Sequence, residues 1–395
     1  MKPPALDSPH APPAVRSRTG APRSTVLVTG GAGFIGSFVV DELLERGHRV
    51  RVLDRLDPQV HGDSGHAPDY LAHEAELIEA DCSDRAAVRN ALDGCDRVIH
   101  LAAAVGVGQS MYEIEHYTRS NELGTAVLLE EMINLSIKPS RLVVASSMSI
   151  YGEGVYTDAD GREHTGVTRT QADLEDDRWE PRDAQGRPLQ PLATPESKCA
   201  DVSSIYALGK YWQERATLIT AAAYGVPAAA LRFFNVYGPR QALSNPYTGV
   251  MAIFASRLLN GNRPSVFEDG MQQRDFVSVH DVARAVADTA LQRDPAVGAF
   301  NIGSGQRVTV LELADRLARI LGRPDLDADI TGRFRLGDIR HCFADIGKAR
   351  RELGFNPTVT MDEGVEELAA WLETQTAEDR VEDASRELAA RGLTV

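Results

Sequence analysis

The sequence predicts an α/β protein: a doubly wound parallel sheet with a smaller C-terminal lobe for substrate. Three observations predict it. From residue 25 onward, short runs rich in Val, Ile and Leu alternate with longer amphipathic segments, the pattern of strands joined by crossover helices. A glycine-rich turn joins the first such run to the first helical pattern. From about residue 239 the alternation loosens, and Arg, Gly and Asp cluster.

Taken in order, TVLV (Thr25–Val28) is the first strand, leading into a helical pattern from Phe34 to Arg46. HRVRVLD (His48–Asp54) alternates in polarity as the second. AELIEAD (Ala75–Asp81), DRVIHLA (Asp96–Ala102) and RLVVASS (Arg141–Ser147) follow, separated by helical stretches. PAAALRF (Pro227–Phe233) comes after the helical YALGKYWQERATLITAAA. Right-handed crossovers put helices on both faces of such a sheet. Residues 153–204 break the rhythm. They are polar, acidic and rich in Gly, Pro and Asp, with Trp179 as their only large anchor, and read as an inserted excursion rather than sheet. The expected organisation is a disordered leader 1–23, a dinucleotide-binding domain 24–238 carrying that insert, a mainly substrate-binding lobe 239–372 that shares segments with the first domain, and a charged tail 373–395, helical over Glu378–Arg391.

The 395 residues are 43% hydrophobic and 25% charged, an ordinary globular balance. A net charge of −15 argues against nucleic-acid binding, which needs a basic face. No apolar run approaches the roughly 18 residues of a membrane helix, and the Pro-, Ala- and Arg-rich leader lacks the apolar core of a signal peptide. A cytoplasmic protein with neither nucleic-acid nor membrane partner is expected. The four cysteines, Cys82, Cys95, Cys199 and Cys342, are scattered without metal-ligand spacing. No metal site or disulfide framework is expected, and Cys199 reads as a bystander thiol.

TGGAGFIG places Gly30, Gly33 and Gly36 directly after a strand and at the start of a helix. Glycines there allow the tight turn, the approach of a pyrophosphate to bare backbone and close helix–sheet packing, with the helix N-terminus offering free N–H groups. Asp54, 18 residues beyond Gly36 at the end of the second strand, is positioned to accept hydrogen bonds from an adenosine ribose and to repel a 2′-phosphate. The turn is therefore Rossmann-like and the cofactor NAD rather than NADP, with Arg55 as the one residue pulling the other way. Candidate cofactor contacts are Gly30, Gly33, Phe34, Ile35 and Gly36 in the turn, Asp54, then Asp81 and Cys82 after the third strand, and Leu101, Ala102 and Ala103 after the fourth. Asp81 serves equally well as a helix cap. His100 reads as a packed, hydrogen-bonded histidine.

Tyr206 and Lys210 lie four apart in a helical pattern, so both face one way. A lysine cation near a phenol favours the phenolate, which predicts a Tyr206 pKa below the usual value of about 10 and a general base able to work near neutrality. Ser147 ends the fifth strand, where carboxyl ends of strands line the active crevice, and is placed to relay a proton to Tyr206.

With these features the sequence resembles the extended short-chain dehydrogenase/reductase superfamily, in its nucleotide-sugar epimerase and dehydratase branch, over roughly residues 24–372. The resemblance rests on TGGAGFIGS, HLAA, NELGT (Asn121–Thr125), SSMSIYG (Ser146–Gly152), YALGK, LRFFNVYGPR (Leu231–Arg240), QQRDFVSVHDVA (Gln272–Ala283), FNIGSG (Phe300–Gly305) and GDIRHCFADIGKARRELGF (Gly337–Phe355). It implies that Ser147, Tyr206 and Lys210 are catalytic and that Asn121, Tyr206 and Lys210 hold the cofactor. It implies further that Ser147, Ser149 and Asn235 contact the sugar nucleotide and that Arg274 and Arg335, with Asp338 nearby, grip its diphosphate. A homodimer is implied too, through the helices following residues 105 and 205, although their apolar faces fit internal packing equally well.

Dehydratases of this family carry an Asp–Glu pair directly after the catalytic hydroxyl residue; here Met148 and Ser149 stand there, and neither can trade the protons of elimination. The branch expected is therefore a 4-epimerase, which oxidises C4 to a ketone and returns hydride to the other face. The long span between Ser147 and Tyr206, together with SNPYTGVMAIF (Ser244–Phe254), is similar to enzymes acting on dTDP-6-deoxyhexoses such as dTDP-L-rhamnose. Relatives of that type can carry Cys pairs in the insert, and RDAQGRPL (Arg182–Leu189) has none. A UDP-sugar 4-epimerase, an NAD(P)H-dependent 4-ketosugar reductase and a non-catalytic NAD-binding scaffold remain the alternatives. The insert is expected to cover the sugar site as a lid, anchored by Trp179.

Overall fold

Five consecutive buried residues, Thr25–Thr29, form the strand at the centre of the molecule (β1). Val26 and Val28 enter one apolar cluster and Leu27 the opposite one, as a strand covered on both faces requires. Around it stand β2 (Arg49–Asp54), β3 (Glu76–Glu79), β4 (Arg97–His100), β5 (Arg141–Ser147), β6 (Ala228–Phe233) and β7 (Gly298–Ile302). The sheet has seven strands in the order β3-β2-β1-β4-β5-β6-β7, and every neighbouring pair is parallel. The six strands expected are all present; β7, from the stretch where the alternation loosens, adds the far edge.

This computed structural model describes residues 24–62, 66–241, 249–335, 338–373 and 390–391. The leader 1–23, nearly all of the tail 373–395 with its Glu378–Arg391 helix, residues 244–248 and Gly337 lie outside the described residues. The longer helices are α1 (Phe34–Glu45), α2 (Arg85–Leu92), α3 (Gly124–Asn134), α4 (Ile205–Ala223), α5 (Val250–Leu259), α6 (Val279–Leu291), α7 (Val310–Ile320) and α8 (Met361–Glu373). Val39, Leu43, Val282 and Val286 bring α1 and α6 onto one face of the sheet. Val88, Leu92, Leu128, Met132 and Ala221 bring α2, α3 and α4 onto the other. A third cluster, built from Phe254, Leu258, Leu313, Leu317, Val365 and Leu368, is the core of the smaller lobe. Among the described residues no helix is long and apolar enough to cross a membrane.

The insert differs from its expectation. Val155–Thr157 pairs antiparallel with Glu163–His164 on one side and Gln190–Leu192 on the other, so residues 153–204 do contain sheet. Their anchors are Tyr156, Leu174 and Leu189, all buried, whereas Trp179 is half-buried with its ring 6.3 Å from that of Phe334. These anchors are too far apart in the chain to show a period. Charge completes the attachment. Arg340, 1% exposed, donates to Glu180 (2.6 and 2.9 Å), to Glu268 (3.0 Å) and to Asp269 (2.6 and 2.9 Å). Arg169 donates to Glu268 at 2.8 Å, and His341, whose Nδ1 accepts from the Gln273 N–H at 3.1 Å, donates from Nε2 to Glu180 at 2.8 Å. The insert is thereby fastened to the smaller lobe.

Burial opposes ionisation of Glu180, but His341 and Arg340 outweigh it and hold the carboxyl down to about 2, from an ordinary 4.5. A depressed acid adds stability that is complete above about pH 4.5 and is lost as pH falls through 2. Glu180→Gln should lower the unfolding free energy at pH 7 by roughly 1 kcal/mol, kept small because Glu180 is a third exposed. It should also flatten the loss of stability between pH 4.5 and 2.5 relative to wild type, as denaturant titrations across that range will read.

Candidate active site

The carboxyl ends of the strands open onto one cavity of about 480 Å³, with β1 and β4 side by side where the chain reverses its direction of travel across the sheet. The glycine turn forms its floor. A Cβ on Gly30 (φ +70°) would lie 2.7 Å from the Ala102 nitrogen, and one on Gly36 would lie 2.0 Å from the Gly30 carbonyl oxygen. Both glycines are demanded by the protein's own packing. Gly33 is different: its Cβ would meet only the Gly30 oxygen, at 3.4 Å, and its bare face lines the cavity at the start of α1, where no side chain caps the helix. An uncapped helix N-terminus behind bare backbone is a seat for a pyrophosphate. The residues present fit a dinucleotide.

Asp54 is held by that turn, its Oδ2 accepting from the Ala32 N–H and its Oδ1 from the Leu56 N–H, each at 3.0 Å. Arg55 is not free to receive a phosphate. Its guanidinium donates to Asp57, to Asp81 (3.3 Å) and to the Ser120 hydroxyl (3.0 Å). Asp54, Asp57 and Asp81 against one guanidinium leave this wall negative, which favours an unphosphorylated ribose. Asp81 keeps its carboxylate on the cavity wall, while Asp84 caps α2. Cys82, Phe34, Ile35, Leu101, Ala102 and Ala103 line the same wall. His100 is packed: its two ring nitrogens bond the Thr29 and Thr125 hydroxyls at 2.7 and 2.8 Å, and burial pushes its pKa down to about 3.

At the other end of the cavity, Ser147 leaves β5 into a tight turn, its Oγ accepting from the Ser149 N–H (3.2 Å) and hydroxyl (2.8 Å). Tyr206 sits in the first turn of α4, which Ser204 caps through the Ala207 N–H, and lines the same cavity as Ser147. Lys210, one turn on, lines the same wall. The expected lowering of the Tyr206 pKa is absent. Burial pushes the phenol above its ordinary value, the nearby Ser147 hydroxyl offsetting only part, and burial also pushes Lys210 down to about 7, with Glu214 opposing. The lysine thus titrates near neutrality and is a weaker cation than the spacing alone predicts.

Four expected site residues do not line this cavity. Asn121, 1% exposed within the π-helical turn Thr118–Leu123, accepts from the Ala104 N–H (2.7 Å) and donates to the Ala104 carbonyl (3.1 Å). It shapes the loop after β4 from behind. Arg274 spends its guanidinium on the carbonyls of Gln273, Ile339 and Arg340. Arg335 packs 4.6 Å from the Phe267 ring centre, and Asp338 accepts from the Ile339 N–H. Asn235 does line the cavity, with its Oδ1 buried and unpartnered among the described residues. Two further wall residues carried no sequence signal. His61 has a buried Nδ1 without a partner among the described residues and its Nε2 3.7 Å from Asp54, and Gln241 comes from the smaller lobe.

A dinucleotide cradle opposite a Ser–Tyr–Lys group defines a nicotinamide-dependent enzyme. Residues 26–174 and 180–303 match the NAD dependent epimerase/dehydratase family. A dTDP-L-rhamnose 4-epimerase of Burkholderia thailandensis is 35% identical over 349 residues, 88% of this chain and 94% of that protein. The UDP-glucose 4-epimerase of Thermotoga maritima, solved with UDP-glucose, aligns with a TM-score of 0.71 at 31% identity, covering 89% of this chain and 99% of its own. That of Thermus thermophilus, solved with NAD, aligns at 0.69 and 27%, covering 89% and 100%. The chain belongs to the NAD dependent epimerase/dehydratase family, and its cofactor is NAD.

The glycines separate packing from binding. Gly36→Ala should destabilise the fold by about 3 kcal/mol or more, because backbone blocks the new methyl. Gly33→Ala should leave the melting temperature nearly unchanged yet deplete the NAD released on denaturing the purified protein.

Proposed function

We propose that the protein is a nucleotide-sugar 4-epimerase acting on a dTDP-6-deoxyhexose such as dTDP-L-rhamnose. The observation that carries this reading is the Ser147–Tyr206–Lys210 group with no acid–base pair beside it: Met148 is buried in the core and Ser149 bonds Ser147. Elimination of water, which needs a proton taken from C5 and one given to the C6 hydroxyl, has no agent at these two positions, so dehydration is disfavoured. The similarity to a dTDP-L-rhamnose 4-epimerase supports the substrate, and the similarity to UDP-glucose 4-epimerases supports a UDP-sugar as second choice.

In this mechanism Ser147 holds the C4 hydroxyl and Tyr206 removes its proton as C4 becomes a ketone. The chemistry NAD supplies when bound is the acceptance and return of hydride and, when oxidised, a positive ring. Lys210, in its protonated form, favours the Tyr206 phenolate. The unpartnered Asn235 Oδ1 receives a donor from the sugar nucleotide. The 4-keto sugar turns over within the cavity, and Tyr206 gives the proton back as the hydroxyl re-forms on the opposite face. Loss of the Tyr206 hydroxyl should lower kcat by about 100-fold or more in Tyr206→Phe, with bound NAD unchanged, as dTDP-L-rhamnose turnover and cofactor release will test. Conversion of UDP-sugars alone by the wild type would redirect the substrate assignment; no conversion without added NADPH would replace epimerase by reductase.

We also propose a homodimer. Leu208, Trp212 and Ile219 form an exposed apolar stripe along α4, and Leu123 is exposed on the neighbouring π turn. A second copy of this chain is the occupant that resemblance to the family implies. Sedimentation should give a dimer, and Trp212→Glu should shift it toward monomer.

A further inference from the structure

Helix α4 is polar on its buried side. One turn beyond Lys210, Glu214 lies 1% exposed, and its Oε2 accepts from the Ser146 hydroxyl (2.7 Å) and from Arg232 Nε (2.9 Å) while its Oε1 accepts from Arg232 Nη2 (2.6 Å). Ser146 is the neighbour of Ser147 on β5, and Arg232 stands on β6. The carboxylate therefore joins the helix carrying Tyr206 and Lys210 to the strand carrying Ser147.

The insert completes the arrangement from below. Arg232 Nη1 donates to the Tyr151 hydroxyl (2.7 Å) and to the Glu196 carbonyl (3.1 Å). Tyr151 in turn donates to Asn301 Oδ1 (2.7 Å), whose Nδ2 donates to the Thr194 carbonyl (2.9 Å) and whose backbone N–H donates to the Glu196 carboxylate (2.8 Å). Lys198 donates to the Tyr151 carbonyl at 2.6 Å. Among the described residues none from 153–204 lines the cavity, so the lid expected of the insert is not what these contacts build.

We propose that Glu214 is a positioning residue for the catalytic group, locking α4 to β5 through Arg232, and that the insert segment 194–198 is the brace holding that ion pair in register. The charge matters as well as the geometry. The ionisable groups around Lys210 are Tyr206 and Glu214 on α4 and neutral His100 on β4, with Glu122 of the π turn beside Gly209. Those around the Glu214 carboxylate are Arg232, which also holds the Tyr151 hydroxyl, and Lys210 one turn back on α4. Glu214 is the negative charge that opposes the depression of the Lys210 pKa by burial.

The inference rests on the epimerase reading for its turnover assay, so it is tested in two ways. Glu214→Gln keeps the shape but loses the charge. It should lower kcat by roughly 10- to 100-fold with KM changed by less than about threefold, and it should move the alkaline limb of kcat to lower pH, because Lys210 then loses its proton more readily. Should that variant fail to fold, the pair Glu214→Gln/Arg232→Met, which leaves neither member of the ion pair buried without its partner, decides instead. Its melting temperature should approach wild type while kcat and the pH limb stay displaced. Recovery of both kcat and the wild-type pH profile in the double variant would make the ion pair structural only and overturn the proposal. If wild type converts no nucleotide sugar, NAD affinity against pH gives the answer: an inflection that moves to lower pH in the variants supports the proposal, and an unmoved one overturns it.

Discussion

The buried pair Glu214–Arg232 is the constraint around which this site is arranged. Taking a carboxylate and a guanidinium out of water costs several kcal/mol each, and the attraction repays that only when the remaining donors and acceptors are matched. Here Ser146, Tyr151 and the Glu196 carbonyl match them, drawing two strands, the turn after β5 and the insert to one point. Burial on the same side presses Lys210 toward neutrality, and the charge beneath it opposes that shift in a residue of the cavity wall. The buried side of α4 mixes small apolar residues with polar ones. Lys210, Glu214 and Thr217 of α4 face inward, while Leu208, Trp212 and Ile219 face outward.

The cofactor end follows a separate logic, in which backbone does most of the shaping. Gly30 and Gly36 are required by contacts inside the protein, and the freedom at Gly33 is left for the ligand. Asp54 is oriented by N–H groups of the turn and the following loop, so the acid at the end of β2 and the glycine turn are built together. Asn121 acts at one remove, pinning Ala104 with both side-chain polar atoms. A residue of that kind affects the cofactor through the loop it shapes.

Local demands made much of this legible in the chain itself. The glycine turn, the acid at the end of β2, the serine at the end of β5 and the Tyr–Lys pair each depend on spacing over a few residues and on strand or helix period. All six strands expected from period and composition are present, and the family to which the chain belongs uses the cofactor that the turn and Asp54 imply. The insert was hard to read because its order comes from partners far along the chain: Arg340 meets Glu180 across 160 residues and Asn301 meets Thr194 across 107.

Sequence alone thus determined the sheet and the glycine turn and picked out Ser147, Tyr206 and Lys210, which the fold brings to one cavity, because backbone conformation and periodicity are short-range properties. Only the tertiary structure decided what the charged residues do. Arg274 was expected on a diphosphate and holds main-chain carbonyls; Arg55 was a reason to doubt NAD and is held by Asp57 and Asp81. Tyr206 was expected to be acidified by Lys210, yet both are displaced toward their neutral forms. A charge acts according to its depth and its partners, and both are set when distant segments pack.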